Sequence, residues 1–489
     1  MTVHYERLSN LDASFLALES RTTHMHVGAV AIFDPGPHSS SDGVDIATIR
    51  ALIASRLDQI PRYRQRLATV PFEGHPVWVD DEHFHLDYHV RHTALPSPGT
   101  DQQLKDLVGR LMSQQLDRTR PLWELWVVEG LANGGFALVG KIHHCMIDGV
   151  SGIDLMAVIL DFTPDVRIEG MEPWQPRPAP NGTELAVKEI SRAISGILAG
   201  LGSFGSLHVD IDGVRNDLAH RLRAVGASLS SGWLTPTGKT PLNGDIGPSR
   251  WFDWLELPLD DVKTIKNEHG ATVNDAMLAI VSGGVRNYLL GEGGLTPDEV
   301  AATEFRIMAP VSVRAESEQG TLGNKVAMWL MTLPVGEPDP ARRIAAVMEA
   351  TRNLKDTDQA LGASTLVQVS TGAPATLVGL AARLASGIRP FNMTVTNVPG
   401  PQFPMYLAGS RMTASYPLVP LWQSHGAGVA IFSLNGMVDI GINMDRTLIA
   451  RPEVLTQAIR DAFEELKATP ARAPEPPKKV KKAPPMGTR

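Results

Sequence analysis

The residues best equipped for chemistry are His143 and His144, followed by Asp148 and Gly149. They close the run Phe136-Ala-Leu-Val-Gly-Lys-Ile142, which is apolar, free of proline and preceded by Gly134 and Gly135, the pattern of a buried strand. Val150, Ile153, Met156, Ile159 and Leu160 then recur at helical spacing, so the predicted order is strand, tight turn, helix. Adjacent side chains at a strand end point to opposite faces, and the two histidines cannot both reach one substrate or one metal ion. One faces chemistry and the other faces structure. A neutral imidazole protonates near working pH, which suits it to act as a general base. Asp148, four residues beyond His144, can orient the turn or the ring.

The complete pattern His-His-x-x-x-Asp-Gly resembles the active-site motif of the CoA-dependent acyltransferase superfamily. That superfamily includes chloramphenicol acetyltransferases, condensation domains and bacterial wax ester synthase/diacylglycerol acyltransferases. The resemblance implies that His144 is the general base, flanked by His143, with Asp148 structural and Gly149 shaping the turn. Arg120-Pro-Leu-Trp-Glu124, the strand before it and Leu95-Pro-Ser-Pro-Gly99 narrow the likeness to the wax ester synthase/diacylglycerol acyltransferase branch, over nearly the whole chain.

Other residues gain roles from the same resemblance. Asn274 and Asp275 match an Asn-Asp motif that shapes the site, although capping of the helix Thr272–Val281 is a complete structural account of them. Arg314 ends the strand Phe305–Arg314 ahead of Gly323-Asn324, where condensation domains carry an arginine that pairs with the motif aspartate; Arg306 is the next candidate. Thr394 and Thr396 share a face of the strand within Phe391–Pro401, before Asn397-Val-Pro-Gly-Pro401, and such hydroxyls stabilise a tetrahedral intermediate in some relatives. Threonines chosen for strand propensity fit equally well.

The elements that must position these residues form an α/β chain. In the superfamily they make two domains resembling chloramphenicol acetyltransferase, with the active site in a tunnel where they meet. The expected boundaries are 1–180, a helical crossover 181–240 after the proline-rich stretch Pro164–Pro180, a second domain 241–467, and a disordered basic tail 468–489. The crossover carries two apolar stripes, Val187 to Leu201 and Ile211 to Leu229, whose flanking charges balance, so packing onto the body is favoured over lipid contact. The stretch His83–His92 alternates like a strand, with His83, His85 and His89 on one face, which reads as a solvated face rather than a metal site.

Composition narrows the function classes. The chain has 489 residues, 43% hydrophobic, and a net charge of −8; six basic residues against one acid beyond Ala471 leave −13 on the rest. An acidic body argues against nucleic acid as a partner. Cys145 is the single cysteine, which excludes an intramolecular disulfide and cysteine-based metal clusters; it reads as a small packed residue, not a nucleophile. No apolar run reaches the roughly 18 residues of a membrane span, and no Gly-x-Ser-x-Gly is present. Taken with these limits, the family resemblance implies a cytoplasmic O-acyltransferase, peripheral at the inner membrane or a lipid droplet. By the same resemblance it would use no metal or cofactor and move a long-chain acyl group from acyl-CoA to diacylglycerol or a long-chain alcohol. Two rivals stand beside it: condensation-like transfer to another acceptor, and a lipid-binding protein without catalysis.

Overall fold

The computed structural model describes residues 4–37, 39–40, 43–71, 73–146, 155–168, 170, 173–189, 191, 235–312, 326–356 and 389–470. The first half runs α1 (Asn10–Leu18), β1 (His26–Phe33), α2 (Ile46–Arg56), β2 (Gln65–Thr69), β3 (Pro76–Asp80), β4 (Val90–Ala94), α3 (Asp101–Met112), β5 (Trp123–Glu129), β6 (Phe136–His143) and α4 (Leu155–Ile159). The second runs β7 (Arg250–Pro258), α5 (Leu259–His269), α6 (Val273–Leu290), β8 (Phe305–Ser312), β9 (Val326–Leu333), α7 (Pro340–Asp356), β10 (Met393–Val398), β11 (Tyr406–Leu407), β12 (Ser410–Leu418), β13 (Ala427–Leu434), β14 (Met437–Asp445) and α8 (Pro452–Lys467).

These strands make two six-stranded sheets, ordered β11-β12-β1-β6-β5-β4 and β7-β14-β13-β10-β8-β9. The first sheet is completed by β12, a strand of the second half that pairs antiparallel with β1. The first half therefore depends on the second to complete its hydrogen-bond ladder, whereas the second sheet is built from strands of the second half alone. One face of the first sheet packs Phe33, Trp123, Phe136 and Leu138 under α1, α2 and α4, and one face of the second packs Ile307, Val395 and Ile440 under α5 to α8. A third apolar cluster joins the halves, with Val30, Leu104, Val108, Phe252, Trp254 and Tyr416 drawn from both.

Local sequence explains the main helices. Thr100 and Gln103 form a capping box that starts α3, and Leu104, Leu107, Val108 and Leu111 then fall on its buried side. Gly109 lets α3 lie against β7, because a Cβ there would sit 2.7 Å from the Arg250 carbonyl oxygen. Thr272 and Asp275 form the corresponding box on α6.

Residues 83–92 differ from the expected strand. Leu86–His89 is a helical turn and only Val90–Ala94 is extended. His83 and His85 are exposed, whereas His89 is buried, stacked between Phe84 and Trp123 with Nδ1 2.8 Å from the Trp123 carbonyl. Burial of that ring broke the alternation. In the crossover, the described part packs onto β2 and β3 through Leu185, and the buried Glu189 accepts a hydrogen bond from Tyr5 Oη at 2.7 Å. The rest of the two stripes, Ile190 and everything from Ile194 to Leu229, and the basic tail from Ala471 lie outside the described residues.

Candidate active site

His143 is the last residue of β6 and His144 the first of a single 3-10 turn, His144–Met146. The chain turns from the strand at this point, and the two imidazoles diverge as the alternation predicts. His143 is 1% exposed on the face turned toward α3, while the half-buried His144 goes to the α1 side. Its ring packs on Phe15 of α1 with centroids 4.0 Å apart, and its backbone N–H donates to the Met25 carbonyl at 2.7 Å. Nδ1 of His144 is buried without a hydrogen-bond partner, although the residue as a whole is half-buried. Burial lowers the His144 pKa to about 4, so the ring is neutral and able to accept a proton throughout the neutral range.

His143 shapes the turn. Its Nδ1 accepts the Cys145 backbone N–H at 3.1 Å, which places the ring proton on Nε2. That nitrogen faces Oε2 of Glu19 at 3.7 Å. The Glu19 carboxylate is also 3.4 Å from His26 Nε2 and takes Nε and Nη2 of Arg118 at 2.9 and 2.5 Å. Burial pushes the Glu19 pKa up, but the His143 and His26 imidazoles outweigh it and hold the carboxyl well below the usual carboxylate range. His26 is opposite His143 in the β1–β6 ladder, and its own burial lowers its pKa to about 3.

A second buried pair supports β6. Lys141 Nζ lies 3.2 Å from Glu124 and donates to the carbonyls of Leu111 and Gln114, at 3.2 Å each, at the C-terminal end of α3. The Arg120–Glu124 segment is accordingly structural. Trp123 is fully buried and donates to the Tyr63 carbonyl at 2.8 Å, and the Leu122 carbonyl accepts the His143 N–H at 2.9 Å. Cys145 is 1% exposed and burial raises its thiol pKa well above the ordinary value, so it carries no thiolate.

In the second half, Asp275 completes the capping box and accepts Thr351 Oγ1 at 2.7 Å. Asn274 accepts Asn397 Nδ2 at 3.2 Å, tying the start of α6 to the end of β10. Met393 and Val395 of β10 face the helices, so Thr394 and Thr396 share the opposite face, and Thr394 Oγ1 is buried there without a partner. Arg306 donates to Glu304 at 2.9 Å and to the carbonyls of Thr235 and Pro390. Asp148, Gly149 and Arg314 lie outside the described residues.

Residues 8–277 match the wax ester synthase/diacylglycerol acyltransferase catalytic domain, and residues 322–467 match the WS/DGAT C-terminal domain. Two Mycobacterium tuberculosis proteins, each described as a probable diacylglycerol O-acyltransferase, are 32% identical over 480 and 464 residues. Those alignments cover 95% and 93% of this chain and 96% and 97% of theirs. The chain belongs to the wax ester synthase/diacylglycerol acyltransferase family.

This WS/DGAT protein is thus an O-acyltransferase of triacylglycerol or wax ester synthesis, a family whose substrates are acyl-CoA and diacylglycerol or an alcohol. Its fold is similar to a wax ester synthase/diacylglycerol acyltransferase from Marinobacter aquaeolei, with TM-score 0.67, 24% identity and 94% and 98% of the chains covered. It is also similar to the first condensation domain of the CDA synthetase, with TM-score 0.55, 16% identity and 96% and 97% covered. Both likenesses bear on the fold, two α/β halves of the chloramphenicol acetyltransferase kind. No described helix of the WS/DGAT chain is long and apolar enough to cross a membrane.

Phe15, Glu19 and Met25 are the site residues that motif reading missed. The one signal was Glu19 itself. It follows the last turn of the largely apolar α1, where the helix dipole disfavours a negative charge, so its presence needs a distant cation or donor.

Proposed function

We propose that His144 is the general base of direct acyl transfer from a fatty acyl-CoA to diacylglycerol or a long-chain alcohol. Its Nε2 takes the hydroxyl proton as the alkoxide oxygen attacks the thioester carbonyl. The tetrahedral intermediate then collapses with cleavage of the C–S bond, and the imidazolium returns the proton to the departing CoA thiolate. Carbon–oxygen formation and carbon–sulfur cleavage balance without a covalent enzyme intermediate, a metal or a cofactor. The observation that carries this reading is a half-buried histidine, neutral at working pH, on a turn fixed by buried partners. The unpartnered Thr394 hydroxyl supports a role for Thr394 and Thr396 in stabilising the intermediate where the substrates meet in a tunnel between the halves. Asn274 shapes the same wall through Asn397, with Asp275 holding the helix start.

Asp148 pairs with Arg314 in this proposal and, with Gly149, holds the turn beyond His144. The enzyme works from the cytoplasmic side, at the inner membrane or a droplet surface that supplies its lipid substrates. The basic tail and the exposed aromatic pair Phe162 and Phe403, 69% and 48% accessible with ring centroids 5.5 Å apart, support attachment there. The test is to supply labelled palmitoyl-CoA with diacylglycerol or hexadecanol and to resolve the lipid products. Labelled triacylglycerol or wax ester is expected, and its loss in His144→Ala. No labelled neutral lipid from either acceptor favours the lipid-binding reading, and labelled product formed only when an amine or carrier-bound acceptor is supplied instead favours the condensation-like one.

A further inference from the structure

We infer that Arg250, a residue of the second half, is a positioning residue for His144, acting through the loop between α1 and β1. The inference rests on His144 being the base. Arg250 opens β7 and is 3% exposed. Its Nη1 donates to Asp445 Oδ2 at 3.0 Å and to the carbonyls of Gly247 and Ser249 at 2.6 and 3.2 Å. Asp445 is itself fixed, since it accepts the backbone N–H groups of Gly247, Thr447 and Leu448 at 2.9, 2.9 and 3.1 Å. The guanidinium is therefore a rigid part of the second half. Its Nη2 crosses to the first half and donates to the Thr22 carbonyl.

Thr22 belongs to the loop Ser20–Met25, which ends on the carbonyl that holds the His144 N–H. The other ties of this loop come from the first half: Gln115 Nε2 to the Ser20 carbonyl at 2.8 Å, and the His24 ring between the Arg21 and Met112 carbonyls at 3.0 and 3.3 Å. Arg250 is thus the link through which the second half fixes the height of Met25, and with it the turn carrying the base. The backbone of Arg250 adds a tie to the same neighbourhood, its N–H donating to Ser113 Oγ at 2.8 Å just after α3. A base displaced by about 1 Å loses rate on the order of a hundredfold, so a hydrogen bond remote from substrate can govern turnover.

Arg250→Lys separates positioning from folding. One ammonium can remain beside Asp445 but cannot also serve Thr22, because it lacks the two-armed geometry of the guanidinium. The expected result is a kcat lowered tenfold or more with KM unchanged and the melting temperature nearly kept. Hydrogen–deuterium exchange at the His144 amide should rise while exchange in α6 stays as in the parent. A folded Arg250→Lys enzyme with kcat within twofold of the parent, or with unchanged protection at His144, overturns the inference. A parent that makes no labelled ester defeats the acyltransfer reading instead, and the exchange measurement then still decides whether Arg250 governs the His144 turn.

Discussion

Asp439→Asn is expected to make the protein more stable at pH 8 and to leave it unchanged at pH 4. Asp439 is 1% exposed on β14, directly opposite Glu256 in the β7–β14 ladder, and it faces β12, the strand that joins the halves. Its Oδ2 accepts the Ser415 N–H at 2.7 Å, while Oδ1 is buried without a partner. Burial raises its pKa to about 7 from 3.8, with the Ser415 hydrogen bond opposing and Glu256 adding to the rise. The sign follows from proton counting. Between pH 3.8 and 7 the folded state holds a proton that the unfolded chain has lost, so stability falls as pH rises through that window and the full cost persists above it. A shift of this size corresponds to about 4 kcal/mol as an upper bound. The cleft of about 360 Å³ lined by Glu256 and Tyr416 admits water beside Glu256 and so screens its charge, and about 2 kcal/mol is the more realistic gain. Asparagine keeps an acceptor for Ser415 and places an N–H₂ toward Glu256. Urea unfolding of both proteins from pH 4 to 8.5 measures the difference. Parallel curves, or a variant less stable at pH 8, would refute the assignment of the penalty to Asp439.

His144→Ala should lower transfer by roughly two to four decades while the fold is kept, whereas His143→Ala should cost more in melting temperature than in chemistry; reversed phenotypes in paired activity and calorimetry would exchange their roles. Because burial holds His144 near pKa 4, kcat/KM should stay level from pH 8 to about 5 and fall only below that, and an acid limb centred at 6.5 would show a solvated ring. Cys145 should resist iodoacetamide in the native state and carry no acyl group after acyl-CoA treatment, as intact mass would reveal. If Asp148 pairs with Arg314 away from water, Asp148→Asn and Arg314→Gln should each cost about 3 to 5 kcal/mol and the double variant much less than the sum; additive losses in denaturant titrations would mean a different partner. Removing the tail from Ala471 should leave turnover of soluble substrates intact and weaken cosedimentation with anionic vesicles at low salt, where each lysine contributes about 1 kcal/mol.

The sequence by itself determined the local elements and the family. Capping at the start of the helix Thr272–Val281 and the glycine-bounded run before His143 are short-range patterns, and backbone geometry reads them directly. The divergence of His143 and His144 was equally legible, because strand alternation needs only two adjacent residues. The third dimension decided what holds the base. Glu19 faces His143, Phe15 packs on His144, Arg250 reaches Thr22, and β12 leaves the second half to complete the first sheet. None of these pairings has a spacing in the chain. Each follows from which apolar faces bury one another, and burial then makes an unpaired donor or carboxylate costly, which favours a partner brought from far away in sequence. His89 shows the same rule from the other side: its alternating context promised a solvated strand, and the stacking of its ring between Phe84 and Trp123 drew it into the core.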